Sequence, residues 1–300
     1  MIKDLINLKQ RLLSSRWTLL DESLSLYPSR QLKIVLQSIL NTSDEFPHNT
    51  NKVPPGYHFA YLNSLTRESE LSKDGYESYQ APTVNKHDFF RRRLWVGGEL
   101  SFSNESFMRF HEECSLSERI RSYKIFGEDE KDLEFKSLVE IERSFRDRSG
   151  NICLTELRKL MYVNNTFNAD QQQDQRTNFT MVPDRSIIIK PTTTSLLRYS
   201  CVTFNAHKIH YDLDYTRNVE KYPNLLIHGP LSINLLLEFF LNNTMKTDIK
   251  KFSYKNHKPM FLNNEFRLNY KKIDDLNYRL WIDDTGGRAV FVDGKLKFYS

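Results

Sequence analysis

The sequence predicts an α+β fold in which a buried helix is wrapped by a curved antiparallel sheet, once in each half of the chain. Three observations carry this expectation. The stretch from Asn164 to Asn178 is polar, Gln/Asn-rich and aperiodic, so it reads as a linker that splits the 300 residues nearly in half. Each side has one apolar helical stretch. Each helix is followed by alternating runs separated by turn residues, which is how antiparallel strands read. The halves share an order of elements and not a set of residues. The expected division is residues 1–165, a linker over 166–182, and residues 183–300.

The first element, Met1 to Arg16, carries Lys3, Lys9, Arg11 and Arg16 with Leu and Ile at helical spacing. That pattern suits a mitochondrial presequence, which Asp4 opposes, and it equally suits an ordinary amphipathic helix of the fold. Next, apolar residues at 32, 35, 36, 39 and 40 predict a helix over Arg30–Leu40. Strand-like runs follow at 93–103, 118–127, 133–146 and 152–163, with turns at Gly127-Glu-Asp-Glu and at Asp147-Arg-Ser-Gly150. Gly97-Gly98 reads as a bulge in the first of these strands, since it lacks the Gly-Lys-Ser/Thr of a phosphate loop. In the second half, Gly229–Leu241 is apolar on nearly every face with Pro230 just inside its start, the pattern of a helix buried all round. Strands are expected at 249–256, 259–271, 276–284 and 288–298, with Asp284-Thr-Gly-Gly287 and Asp293-Gly294 supplying turns between or within them.

Composition narrows the function classes. With 39% hydrophobic and 27% charged residues and no run near the ~20 apolar residues of a membrane helix, the chain reads as a globular protein without a membrane span. Its net charge of +5 is spread out, with Arg91-Arg92-Arg93 as the tight cluster, and this is not a nucleic-acid footprint. A basic balance suits an acidic carrier or a phosphorylated cofactor tail, or simply a solvated face. Cys114, Cys153 and Cys201 are far apart and odd in number, suggesting neither disulfides nor a zinc site. The Asn-x-Ser/Thr triplets, such as Asn104-Glu-Ser, are what chance gives in an Asn-rich chain.

The segment Leu197-Arg-Tyr-Ser-Cys-Val-Thr-Phe-Asn205-Ala-His207-Lys-Ile-His210-Tyr-Asp212, followed by Leu226-Ile-His228-Gly229-Pro-Leu, resembles the signature of the MaoC-like R-specific enoyl-thioester hydratases. There the pattern is Gly-Asp-x-Asn-Pro-x-His-x-Asp, and a His-Gly pair opens the central helix. Pro54-Pro-Gly-Tyr-His-Phe-Ala-Tyr61, Lys73-Asp-Gly75 and Arg91–Phe102 resemble the N-terminal half of double hot dog members, in particular the fungal mitochondrial 3-hydroxyacyl-thioester dehydratases of type II fatty acid synthesis. The resemblance covers roughly residues 50 to 300. It implies two fused hot dog units, the C-terminal one catalytic and the N-terminal one degenerate, with its lost site freeing room for a longer acyl chain. It also implies dehydration of (3R)-3-hydroxyacyl thioesters to trans-2-enoyl thioesters, carried on an acyl carrier protein or coenzyme A, in the mitochondrion, with no cofactor. One departure stands out: the family's catalytic aspartate falls on Asn205 and its asparagine on His207, so that only His210, Asp212 and Gly229 match by type.

Dehydration needs a base for the α-proton, donors for an enolate-like oxygen and a proton for the departing hydroxyl. His210 is the candidate base, and on this reading it also returns the proton to the leaving oxygen. Asn205 cannot be a base and would hold the hydroxyl through its amide, while Asp212 or His207 would orient His210. Gly229 matches the position whose N–H meets the thioester oxygen at the positive end of a helix. His207, His228 and Tyr211 are further candidates for substrate contact. The plainer readings are an exposed or structural histidine, a glycine N-cap, and a His-x-x-His metal pair, which has no third ligand at helpful spacing. Within enzymes the alternatives are hydration of a short dicarboxylic (mesaconyl-CoA-like) enoyl-CoA or thioester hydrolysis; outside enzymes, a non-catalytic acyl-carrier-binding protein. Nothing in the sequence excludes a homo-oligomer.

Overall fold

Alternating burial along eight long segments forces strands, and the twist of antiparallel strands lets them close over a helix. The computed structural model describes residues 2–43, 51–84, 87–88, 90–127, 134–168 and 181–300. Its elements are α1 (Ile2–Ser14), β1 (Arg16–Asp21), α2 (Leu26–Leu40), the short β2 (Thr83–Val84) and β3 (His87–Asp88), β4 (Arg92–Phe102), β5 (Cys114–Phe126), β6 (Lys136–Asp147) and β7 (Ile152–Val163). Then come β8 (Arg185–Ile189), α3 (Thr193–Val202), α4 (Leu213–Asn218), α5 (Gly229–Thr244), β9 (Ile249–Asn256), β10 (Phe266–Lys272), β11 (Asn277–Asp283) and β12 (Val290–Phe298). Most of the expected linker falls outside the described residues.

Ten strands form one sheet in the order β1-β5-β6-β7-β4-β9-β12-β11-β10-β8. The first five and the last five follow the same plan in mirrored order: the opening strand of each half (β1, β8) lies at an outer edge, and β4 pairs with β9 at the centre. The expected repeat is therefore present in the sheet. At the centre Gly97 and Gly98 face Lys255 and Tyr254. A Cβ on Gly98 would come within 2.4 Å of the Leu157 carbonyl oxygen and 2.6 Å of the Tyr254 hydroxyl. The register slips between Trp95 and Gly97, the bulge expected there.

The helices do not repeat as expected. α5 is buried at every residue from Pro230 to Phe240 and fills the concave face of the C-terminal strands. α2 contains the expected Arg30–Leu40 helix but starts at Leu26, because Ser25 caps it by accepting from the Tyr27 amide. It follows β1 as α3 follows β8, and has one apolar face (Leu32, Val35, Leu36, Ile39, Leu40) while Ile34 is exposed, so it packs beside α5 and is not wrapped by strands. Lys33 on α2 and Tyr57 both bond Glu238 on α5, at 2.5 and 3.0 Å. Among the described residues no counterpart of α5 precedes β4. On the corresponding face of the N-terminal strands, Leu116, Phe145 and Leu154 at one end and Ile141 and Leu160 at the other flank a band of buried ions. In that band Arg143 binds Glu118 (2.7 Å) and Glu156 (2.9 Å), and Arg158 binds Glu156 (2.5 Å).

Two further expectations changed. β10 begins at Phe266 rather than 259, since the preceding stretch bonds residues 225–227 instead: the Ile227 amide donates to Met260 O (2.8 Å) and the Leu262 amide to Leu225 O (2.8 Å). Asp293-Gly294 lies inside β12, not in a turn; Gly294 is small because a Cβ there would meet the Phe252 ring at 2.5 Å. The N-terminal segment is an amphipathic helix that buries Leu8 and Leu12 against β5, β6 and β7. No helix among the described residues is long and apolar enough to cross a membrane.

The centre of the sheet gives a prediction. Gly98→Ala should cost about 1–3 kcal/mol from overpacking, read as a lower midpoint in chemical denaturation. An unchanged midpoint would mean that the β4–β9 junction is slacker than described.

Candidate active site

α5 is apolar on nearly every face, so it sits deep in the protein and its N-terminus opens inside rather than at the surface. His228 is the N-cap, with Gly229 and Pro230 in the first turn, and the His228 side chain makes no capping bond. The first amides of a helix have no partner within it, and the dipole makes that end positive. The motif Pro54-Pro-Gly56-Tyr57 docks on the same helix: Asn234 donates to Gly56 O (2.8 Å) and accepts from the Tyr199 hydroxyl (2.7 Å). Gly56 has φ 89° and its missing Cβ would sit 3.0 Å from Leu237.

His210 ends a 3-10 turn, Lys208–His210, that begins after His207. Residues three apart stack in such a turn, so the two rings lie edge to face with centroids 5.4 Å apart. The Leu226 carbonyl lies 2.9 Å from Nδ1 of His210 and can accept only if that nitrogen carries the proton. Nε2 of His210 is then a lone pair. His228 stacks on His210 with centroids 3.6 Å apart, and its Nε2 lies 2.8 Å from the Ser200 hydroxyl. Burial, then the neighbouring His207, brings the pKa of His210 down from 6.5 to about 3, and burial and the adjacent imidazoles lower that of His228 as well. Both rings are neutral at physiological pH.

Two cavities of about 460 and 630 Å³ meet here. His207, His210 and Gly229 line the first, and Tyr211, Arg143 and Arg158 line the second. Tyr76, Trp95, Asn205 and Pro230 line both, so Asn205 stands at their junction. Its Oδ1 accepts the His207 amide (2.9 Å), which leaves the NH₂ as its donor.

The structure thus brings His210, His207, Asn205 and Gly229 to one cavity and places three other candidates elsewhere. Asp212 caps α4, accepting the Tyr215 amide at 2.9 Å, and lines neither cavity. His228 is fully buried behind His210 and lines neither cavity. Tyr211 is 43% exposed and spends its hydroxyl on Ala206 O (3.2 Å), at the second cavity. The sequence reading missed Asp74 and Glu220, whose carboxylates lie 3.4 and 3.9 Å from His207 Nε2. It also missed Trp95 and Tyr76 as walls shared by the two cavities. Lys73-Asp-Gly75 was the available signal. Gly75 has φ 82°, and a Cβ there would lie 2.2 Å from Ala206 O, so only glycine lets this turn press against the histidine segment.

The buried histidines give a pH prediction. The unfolded chain binds protons near pH 6.5 that folded His210 refuses until about pH 3, so the unfolded state holds more protons between these values. Stability contributed by the neutral ring is present above pH 6.5 and is lost as pH falls toward 3, with His228 acting in the same direction. Denaturation midpoints measured from pH 7 to 4 should fall less steeply in His210→Gln than in the parent chain. Equal slopes would contradict the buried neutral state.

Comparison with known proteins places the chain in a family. Residues 56–262 match the family model of hydroxyacyl-thioester dehydratase type 2. The chain is 31% identical over 282 residues to the mitochondrial hydroxyacyl-thioester dehydratase type 2 of Schizosaccharomyces pombe, covering 88% of this chain and 92% of that protein. It is 26% identical over 238 residues to the mesaconyl-C(4)-CoA hydratase of Chloroflexus aurantiacus, covering 74% and 76%. A Mycobacterium tuberculosis protein described as a double hotdog fold superimposes with a TM-score of 0.57 at 11% identity, over 95% of this chain and 96% of that one. The fold is a double hot dog, and the chain belongs to the hydroxyacyl-thioester dehydratase type 2 family.

Proposed function

We propose that this protein is a hydro-lyase that dehydrates (3R)-3-hydroxyacyl thioesters to trans-2-enoyl thioesters, reversibly, in mitochondrial fatty acid synthesis. One observation carries the chemistry: a buried neutral imidazole with a free lone pair, at His210, lines the same cavity as the N-terminus of a buried helix at Gly229. The first supplies a base and the second a donor for the oxygen that becomes negative when the α-proton leaves. One such donor is worth about 2.7–4 kcal/mol of barrier in enzymes that use it. Asn205, at the junction of the cavities, holds the substrate hydroxyl through its NH₂.

The carrier is an acyl carrier protein or coenzyme A, and the mitochondrial location follows the names of the fungal relatives. Residues 1–165 and 183–300 form the two fused hot dog units; the mirrored strand order supports this division. The second cavity, next to an N-terminal unit that has no counterpart of α5 among the described residues, supplies the room for the acyl chain.

The test is hydration of crotonyl-CoA by the purified chain, followed as loss of enoyl absorbance. The expected result is turnover that falls at least a hundredfold in His210→Ala and about tenfold to a hundredfold in Asn205→Ala, with folding intact by circular dichroism. A well-folded parent chain that turns over no enoyl or 3-hydroxyacyl thioester would overturn the enzyme reading. Full activity in His210→Ala would overturn the assignment of the base.

A further inference from the structure

The expected scheme makes His210 both take the α-proton and protonate the departing hydroxyl, because the carboxylate that would share this work is replaced by Asn205. The structure holds a carboxylate in another place. Asp74 reaches the site from the N-terminal half, and its Oδ2 lies 3.4 Å from Nε2 of His207, a ring that is only 5% exposed and lines the first cavity. Glu220 Oε1 lies 3.9 Å from the same nitrogen. His207 Nε2 and Glu220 Oε2 are both buried without a hydrogen-bond partner, and catalytic hydrogen bonds are often long before substrate binds.

The placement of Asp74 is over-determined. Arg93 on β4 grips it through Nε (2.8 Å) and Nη2 (3.4 Å), the Tyr76 amide donates to it (3.0 Å), and its own carbonyl accepts the Lys208 amide (2.8 Å). Burial raises the pKa of Asp74, but Arg93 and then His207 outweigh this and hold it below the usual carboxylate range. It is an anion. An ion pair with Arg93 alone would account for that charge, yet not for a buried imidazole edge turned toward two carboxylates beside the reaction cavity.

Resting on the dehydratase reading above, we propose that His207 is the catalytic residue that protonates the leaving hydroxyl, and that Asp74, from the other half of the chain, is the residue that positions it. Nε2–H of His207 faces Asp74, so Nδ1 is the nitrogen available to substrate. The Cα–H bond breaks to Nε2 of His210 and its electron pair forms the Cα–Cβ double bond. The Cβ–O bond breaks, and the oxygen takes the proton from Nδ1 of His207 and leaves as water. The cationic ring this requires has both carboxylates on its Nε2 edge, and the proton left on His210 returns to His207 through solvent before the next turnover. In hydration the same steps run backward.

A leaving group that needs no proton separates the two histidines. Chloride departs from a (3R)-3-chlorobutyryl thioester with its electron pair alone, whereas hydroxide does not. With (3R)-3-hydroxybutyryl-CoA, His207→Asn should lose at least a hundredfold in kcat, while elimination of chloride from 3-chlorobutyryl-CoA stays within about threefold of the parent chain. His210→Ala should lose both reactions. Asp74→Asn should follow His207→Asn more mildly, about tenfold in kcat with KM unchanged, and Asp74→Glu should recover part of the loss. Equal loss of both reactions in His207→Asn, or undiminished dehydration, would overturn the assignment; His207→Gln serves the same comparison if the asparagine variant does not fold. A parent chain inactive on both substrates would overturn the dehydratase reading itself, an outcome distinct from failure of the His207 role.

Discussion

A helix that is buried on every face has to be surrounded, and the placement of α5 decides most of what this protein can do. From Pro230 to Phe240 it presents no side to water, so the sheet must curve around it and its N-terminus must open within the molecule. Unpaired backbone donors, Gly229 N–H among them though not Pro230, which has no N–H, and the positive end of a dipole are thereby carried to a place where little water competes. The same burial desolvates whatever stands beside that end. His210 and His228 stack there as neutral rings, and the Leu226 carbonyl fixes which nitrogen of His210 carries the proton.

The second constraint is the join between the halves. β4 pairs with β9 across two glycines that have no room for a side chain, which brings Trp95 of one half against Gly229 of the other and puts Arg93 and His207 around one cavity. Arg93 then holds Asp74, and Gly75 allows that turn to lie on the histidine segment. The cavity is therefore shared work. The C-terminal half supplies the histidines and the helix end, and the N-terminal half supplies walls, a charge and space.

Much of the fold was legible because it follows from local periodicity. β9 was expected over 249–256 and spans Ile249–Asn256, since Ile249, Phe252 and Tyr254 supply buried apolar positions in an extended, otherwise polar run. β10 was placed too early because Met260-Phe-Leu262 is an apolar run that reads as the start of a strand, and only the folded chain shows its hydrogen bonds going to residues 225–227. β1, β8 and α3 were not anticipated: β1 and β8 are short edge strands, and each pairs with a single neighbour far along the chain. The absence of a second wrapped helix among the described residues was hidden for a similar reason. An amphipathic segment such as α2 has the apolar content of a core helix, but its single apolar face suits packing beside α5.

The site divides in the same way. The nearness of His207 and His210 could be read from a spacing of three, and the start of α5 at Gly229 from the Pro230 that follows it, whereas a role for Gly229 came only from the family resemblance. Asp212 looked like a partner for His210 through the same spacing logic, whereas its carboxylate is spent on capping α4. Asp74 and Glu220 could not be found by spacing, because the chain positions that meet at His207 are set by the β4–β9 join and by the turn at Gly75. The central claim, that the N-terminus of α5 polarises the thioester, is tested most directly by difference infrared spectroscopy. Crotonyl-CoA with a ¹³C-labelled thioester carbonyl would be bound to the inactive His210→Ala chain. The account predicts a carbonyl stretch moved to lower frequency than in free crotonyl-CoA; a bound carbonyl with the frequency of the free thioester would contradict it.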